Sequence, residues 1–129
     1  MIKAVAYYRV ASPEGAEMGL KRQKEVVREY AKVNGFEIAA EVEAIESGTT
    51  ADRDSLRRVK EEVDRTESEA VLTRTIDRIA RGPLEVEKAV DSFGQVELKV
   101  AEGMEYTKGI GILSLLKEKP FEADNIDIE

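Results

Sequence analysis

Apolar residues along this chain switch between two periods, and the switches mark its elements. After Lys3 the stretch from Ala4 to Tyr8 carries no charge, which suits a strand buried on both faces, since a half-exposed strand would alternate. A strand is therefore expected over residues 2–10. Pro13, Gly15 and Gly19 follow and read as a loop over 11–19. From residue 20 the spacing turns helical: Leu20, Val27 and Ala31 share a face with Val26, Tyr30 and Val33 beside it, and Asn34-Gly35 supplies the stop. A strand is expected over 36–42, then a polar loop over 43–54 with Gly48 and paired threonines.

Asp54 or Ser55 can cap a second helix whose inner face is Leu56, Val59 and Val63. A short strand fits Ala70–Thr73, and Pro83 suits the first turn of a helix faced by Val86, Ala89, Val90 and Phe93. The pattern closes with a strand over 96–100, a loop over 102–108 and a short apolar helix over 110–117 stopped by Pro120. Strands alternating with helices predict an α/β fold, a mainly parallel sheet of about four or five strands flanked by helices.

Composition narrows the chemistry. With 129 residues and 42% hydrophobic content, one domain with a real core is expected. The chain has no cysteine and no histidine, so disulfides, thiol catalysis and the commonest general base and metal ligand are excluded. Any reaction must run on carboxylates, hydroxyls and cations. With no long apolar run and no signal-peptide pattern, a cytoplasmic location is the expectation.

The net charge of −7 argues at first against nucleic acid, which normally meets a basic footprint. The average hides an asymmetry, because all ten arginines precede residue 82, and seven of them fall within 53–81. Arg57, Arg58 and Arg65 read as solvated helix positions with partners such as Glu61 and Glu62. Arg9, at the end of the first strand, is different: in an open α/β sheet that lip is where ligands bind.

Tyr7-Tyr8-Arg9-Val10-Ala11-Ser12, Gly19-Leu20-Lys21-Arg22-Gln23, the Ser47-Gly48-Thr49 loop leading to Asp52-Arg53, and Asp77-Arg78-Ile79-Ala80-Arg81 follow one another in order. Together they resemble the catalytic domain of serine recombinases, the resolvase/invertase family. Glu102-Gly103-Met104 followed by Gly109 and Gly111 is similar to that family's entry into its long dimerisation helix. The resemblance implies a resolvase-like three-layer domain over 1–119, with a short dimerisation-type helix at about 108–119, an acidic tail over 120–129 and no DNA-reading domain.

The implied reaction is DNA strand cleavage and exchange, in which a serine hydroxyl attacks a phosphodiester and forms a phosphoserine link. Arg9, Arg53, Arg78 and Arg81 would be the phosphate-binding set, since a planar, always charged fork matches phosphate and charge placed in advance stabilises the transition state. Asp77 would orient the arginines or the nucleophile. The implied partners are DNA and a homodimer or higher recombinase assembly, with no metal, no cofactor and no membrane.

The sequence departs from the family pattern where it matters most. The family reads Tyr-x-Arg-Val-Ser, so the nucleophile position here is Ala11, and a methyl group cannot attack phosphorus. The glutamine usually found a few residues on is replaced within 13–16, and the acid usually found four before the loop glycine is Ala44, with Glu43 adjacent as a substitute. Three explanations stand: a natural non-catalytic relative, an active enzyme whose serine was replaced to trap a complex, or Ser12 acting as nucleophile in its place. A non-enzymatic module that dimerises and modulates recombination is the alternative function. A small phosphorylated ligand is disfavoured, because no Gly-rich phosphate loop follows the first strand.

Overall fold

The computed structural model describes residues 1–49, 51–107 and 111–112. Strand β1 (Ile2–Val10) is central, and residues Ala4 to Arg9 are buried. It pairs in parallel with β2 (Phe36–Ile45) on one side and β3 (Ala70–Thr73) on the other, and β3 pairs in parallel with β4 (Glu97–Val100). The order β2-β1-β3-β4 reverses direction at β1. The topological switch point, the place where α/β sheets hold ligands in a crevice, therefore lies at the C-terminal ends of β1 and β3.

Helix α1 (Ala16–Asn34) covers one face of the sheet with Leu20, Val27 and Ala31 against Ala4, Ala6, Tyr8 and Leu72. Helices α2 (Asp54–Thr66) and α4 (Pro83–Ser92) cover the other, packing Leu56, Val59, Val63, Val86 and Val90 against Val5, Tyr7 and Val71. The two adjacent tyrosines point to opposite faces because side chains alternate along a strand, and both are fully buried. Between β3 and α4 lies a single turn, α3 (Ile76–Ile79). No helix among the described residues is long and apolar enough to cross a membrane.

Two boundaries differ from the sequence expectation by three residues or more. Helix α1 starts at Ala16, because buried Ala16 lies one turn before Leu20 and extends its stripe, while Gly19 is accommodated inside the helix. Strand β2 runs on to Ile45, three residues past the expected end. Its register against β1 jumps from Ala4↔Ile38 to Val5↔Ala40, leaving Ala39 as an extra residue. One such insertion exchanges the faces of everything after it: Phe36 and Ile38 pack under α1, whereas Val42 and Ala44 pack under α2. Glu41 and Glu43 are thereby turned toward α1, where Glu41 pairs with Arg28 and Glu43 with Lys24.

At the C-terminal end, β5 (Tyr106–Thr107) pairs antiparallel with β6 (Gly111–Ile112). The helix expected over 110–117 is thus a strand at Gly111 and Ile112, as befits a glycine-interrupted run with weak helix propensity; residues 113–119 lie outside the described residues, as does the acidic tail.

Candidate functional site

The lip of β1 is built from the bend after β1, the loop after β2 and the turn after β3. Arg9 ends the buried part of the strand, and its backbone edge is closed by a side chain: Gln23 of α1 accepts from Arg9 N at 3.0 Å and donates to Arg9 O at 2.8 Å. Gln23 sits in the stripe Leu20, Gln23, Val27, Ala31 and is 2% exposed, so it stands in for the partner on the β3 side, where pairing ends at Tyr7↔Thr73.

The Arg9 guanidinium turns inward. Its Nε donates to Arg78 O at 2.8 Å, its Nη2 to Asp77 O at 2.7 Å and its Nη1 to Glu46 O at 2.8 Å. At 3% exposure it joins the loop after β2 to the turn after β3. Burial pulls its pKa below the ordinary arginine value, and the neighbouring charges of Arg53 and Arg78 pull the same way. Gly48 lies flat on this group: a Cβ there would stand 2.6 Å from Arg9 Cζ, so the loop can approach only as glycine.

Arg53 precedes α2 in an extended conformation and is also buried. Its Nε donates to the Glu46 carboxylate at 2.7 Å, and its Nη2 donates to Ile79 O at 2.8 Å and to Tyr7 Oη at 2.9 Å. Ser55, fully buried, bonds Tyr7 Oη at 2.9 Å and donates to the same Glu46 oxygen. Three successive carbonyls, those of Asp77, Arg78 and Ile79, are therefore held by two buried guanidiniums.

The other arginines are placed differently. Arg78 is half-buried, with Nη1 donating to Arg9 O at 3.3 Å, while its buried Nε has no hydrogen-bond partner among the described residues. Arg81 is exposed; its backbone N donates to Gly48 O at 2.9 Å, and among the described residues its side chain makes no hydrogen bond or ion pair. The Asp77 carboxylate is exposed and accepts from Thr75 Oγ1 at 2.5 Å; the residue meets Arg9 through its carbonyl. Ala11 and Ser12 lie exposed in the bend that leaves β1.

The fold thus brings Arg9, Arg53, Asp77 and Arg78 into one bonded cluster, ties Arg81 to it by the backbone, and sets Ala11 and Ser12 at its edge. Sequence reasoning gave Glu46 no role, named Gln23 only within the run that carries the resemblance, and offered Ser55 as a helix cap, whereas the helix starts at Asp54 behind Arg53 with no side-chain cap. Gln23 was visible as a polar residue inside an apolar stripe; Glu46 was overshadowed by Glu43 and Ala44, of which Glu43 pairs with Lys24 and Ala44 is core. Away from the lip, Arg57 and Arg65 make exposed pairs with Asp52, Asp54 and Glu62, as solvated positions should.

The family model for the resolvase N-terminal domain matches residues 4–113. Among solved structures, the C-terminal catalytic domain of ISC1926 TnpA, an IS607-like serine recombinase, is 30% identical over 79% of this chain and 69% of its own, with a TM-score of 0.66. A resolvase family site-specific recombinase from Streptococcus pneumoniae is 28% identical, covering 86% of this chain and 76% of its own, with a TM-score of 0.64. The N-terminal catalytic domain of TP901-1 integrase, at 20% identity, shares the fold with a TM-score of 0.65 over 77% of this chain and 76% of its own. With the parallel sheet and the arginine-lined lip, these matches place the chain in the resolvase family, as a serine recombinase catalytic domain.

Proposed function

We propose that this domain grips a DNA phosphate through Arg78 and Arg81, with Arg9 and Arg53 held behind them as the framework, and that the chain as written stops short of strand cleavage. The observation that carries the reading is the buried Arg78 Nε without a partner among the described residues. Leaving such a donor unpaired costs on the order of 1–3 kcal/mol, and a phosphate oxygen at the crevice relieves that cost. Arg81, exposed one turn further on, adds a second fork. Arginine is suited to the task because its charge persists and its donors are planar.

Ala11 stands where the family carries its nucleophile, so no hydroxyl is available there to form the phosphorus–oxygen bond while the sugar oxygen departs with a proton. Ser12 is the neighbouring hydroxyl. The partners in this reading are DNA and further recombinase subunits, as a homodimer or higher assembly in the cytoplasm, with no cofactor.

The test is covalent capture on duplexes nicked near the cleavage position, using the chain and its Ala11→Ser and Ser12→Ala variants. An adduct from Ala11→Ser alone is the expected result. An adduct from the unaltered chain that Ser12→Ala abolishes would make Ser12 the nucleophile and refute the impairment. For the grip itself, Arg81→Ala is expected to lower the slope of log affinity against log salt by about one. DNA binding without salt dependence, or none at all, would remove the phosphate reading.

A further inference from the structure

The turn that carries Arg78 is anchored in the core by Ile76, Ile79 and Ala80, but packing does not satisfy its backbone carbonyls. Helix α3 is four residues long, and a single turn leaves its terminal carbonyls without intrahelical partners. Here Arg9 and Arg53 supply the donors, to Asp77 O, Arg78 O and Ile79 O. The orientation of Arg78, and through it the aim of its unpaired Nε, therefore depends on where those two guanidiniums sit.

Two buried cations side by side repel each other, and burial adds a desolvation cost that a carboxylate must offset. Arg9 registers both effects in its depressed pKa. The carboxylate bonded to Arg53 is that of Glu46, at 2.7 Å from Nε, and Ser55 fixes the same oxygen from the other side. Glu46 reaches Arg9 as well, because its backbone carbonyl accepts from Nη1. Two residues on, Gly48 O accepts from Arg81 N. One short segment thus holds both buried arginines and the backbone of the exposed one.

Among the described residues Glu46 makes no bond to Arg78 or Arg81. Resting on the reading that these two arginines take the phosphate, we propose that Glu46 is a positioning residue for strand cleavage: its carboxylate locks Arg53, and through Arg53 and Arg9 it fixes the 77–81 turn that aims Arg78 and Arg81. The family resemblance does not point to this position, because the acid it expects falls at position 44, here Ala44, with Glu43 as its neighbouring substitute. Glu46→Gln keeps an acceptor of the same shape and removes the charge; Glu46→Asp keeps the charge on a shorter arm.

The experiment uses the full chain in the Ala11→Ser form on nicked duplex, reading the single-turnover rate of adduct formation at saturating DNA separately from duplex affinity. Glu46→Gln is expected to slow the rate by about tenfold to a hundredfold, the range for a misaimed catalytic group, with affinity changed by less than about threefold, because phosphate charge dominates affinity. Glu46→Asp is expected to recover most of the rate. Equal rates for Glu46→Gln and its parent, at a temperature where both are folded, would overturn the proposal.

A second readout needs no chemistry. In proton–nitrogen spectra of the unaltered chain, the Arg78 Nε–H resonance is expected to shift or exchange faster on Glu46→Gln, although Glu46 does not touch it; an unmoved resonance overturns the positioning role. If Ala11→Ser forms no adduct, the account of Ala11 as the missing nucleophile fails by itself, and the spectra still decide about Glu46.

Discussion

Replacing Arg9 with methionine separates what this residue does for the fold from what it does for DNA. Methionine fills much of the volume and donates nothing, so the three carbonyls of Glu46, Asp77 and Arg78 lose their partner together. A hydrogen bond involving a charged group contributes roughly 1.5–3 kcal/mol. The three are not independent, and water entering at the half-buried side of Arg78 recovers part of the loss. An expected destabilisation of about 3–5 kcal/mol follows, comparable with losing one partner of a buried ion pair. Against a typical stability of about 5–15 kcal/mol that is a large fraction. With a urea slope of about 2 kcal/mol per molar, the unfolding midpoint should fall by about 2 M.

The measurement is urea unfolding of the chain, Arg9→Met and Arg9→Lys, followed by circular dichroism. Lysine keeps the charge as a point donor and cannot span three diverging carbonyls, so it should recover less than half of the loss. A loss below about 1 kcal/mol for Arg9→Met would refute the argument, because it would mean that the carbonyls find equivalent partners without the guanidinium. Arg81→Ala serves as the contrast: an exposed side chain of this kind should change stability by no more than about 0.5 kcal/mol.

Gly48→Ala should cost about 1–3 kcal/mol by overpacking, since the new Cβ would press on a guanidinium that three carbonyls hold in place; the cost should shrink in the Arg9→Met background, and a double-mutant cycle with additive effects would show that the two do not meet. Glu41 is held below the usual carboxylate range, first by its bond to Arg28 and also by that from Tyr8. Its stabilising contribution is therefore present above the ordinary value of 4.5 and lost as pH falls through the depressed one. Because the pair is largely solvated, the deficit of Glu41→Gln should be no more than about 1 kcal/mol at pH 7 and should shrink toward pH 3; a deficit independent of pH would refute this assignment.

The elements that the sequence revealed are those whose apolar period is uninterrupted. The unbroken run of β1, the Leu56-Val59-Val63 face of α2 and the proline start of α4 fall where expected. The misread boundaries have local causes. Ala39 shifts β2 by one residue, so that Glu41 and Glu43, which look like the start of a polar loop, are strand residues facing α1. Ala16 is too small to mark an apolar stripe. Ile112 lies in a short apolar run, which cannot be assigned to helix or strand by period alone. The gathering of the arginines was legible only through the family resemblance, because Arg9 and Arg78 are 69 positions apart. Which arginines face inward was not legible at all, since a guanidinium is buried only where folded carbonyls and carboxylates happen to meet it.

That division changes what the arginines can be taken to mean. Arg9 and Arg53 close the lip from within, each bonded to groups of the protein itself, so a chain that never touched DNA would still need them to hold the turn after β3. In the proposed reading their burial and bonding belong to the framework of the lip. Arg78 and Arg81 are accounted for less fully: one donates to Arg9 O yet keeps a buried donor without a partner among the described residues, and the other stands in solvent. In a protein of net charge −7, two cations near the strand ends can still attract a phosphate, because steering depends on the local field more than on the total. The proposed phosphate grip therefore rests on these two, and the proposed impairment on the methyl group of Ala11, while the family match carries the link to recombination. In the proposed reading the two are compatible, because phosphate binding needs only the forks of Arg78 and Arg81, while bond formation at position 11 needs a hydroxyl that Ala11 lacks. An Ala11→Ser chain that cleaves, and an unaltered one that binds with the same salt dependence, would establish that the grip and the chemistry are separable in this fold.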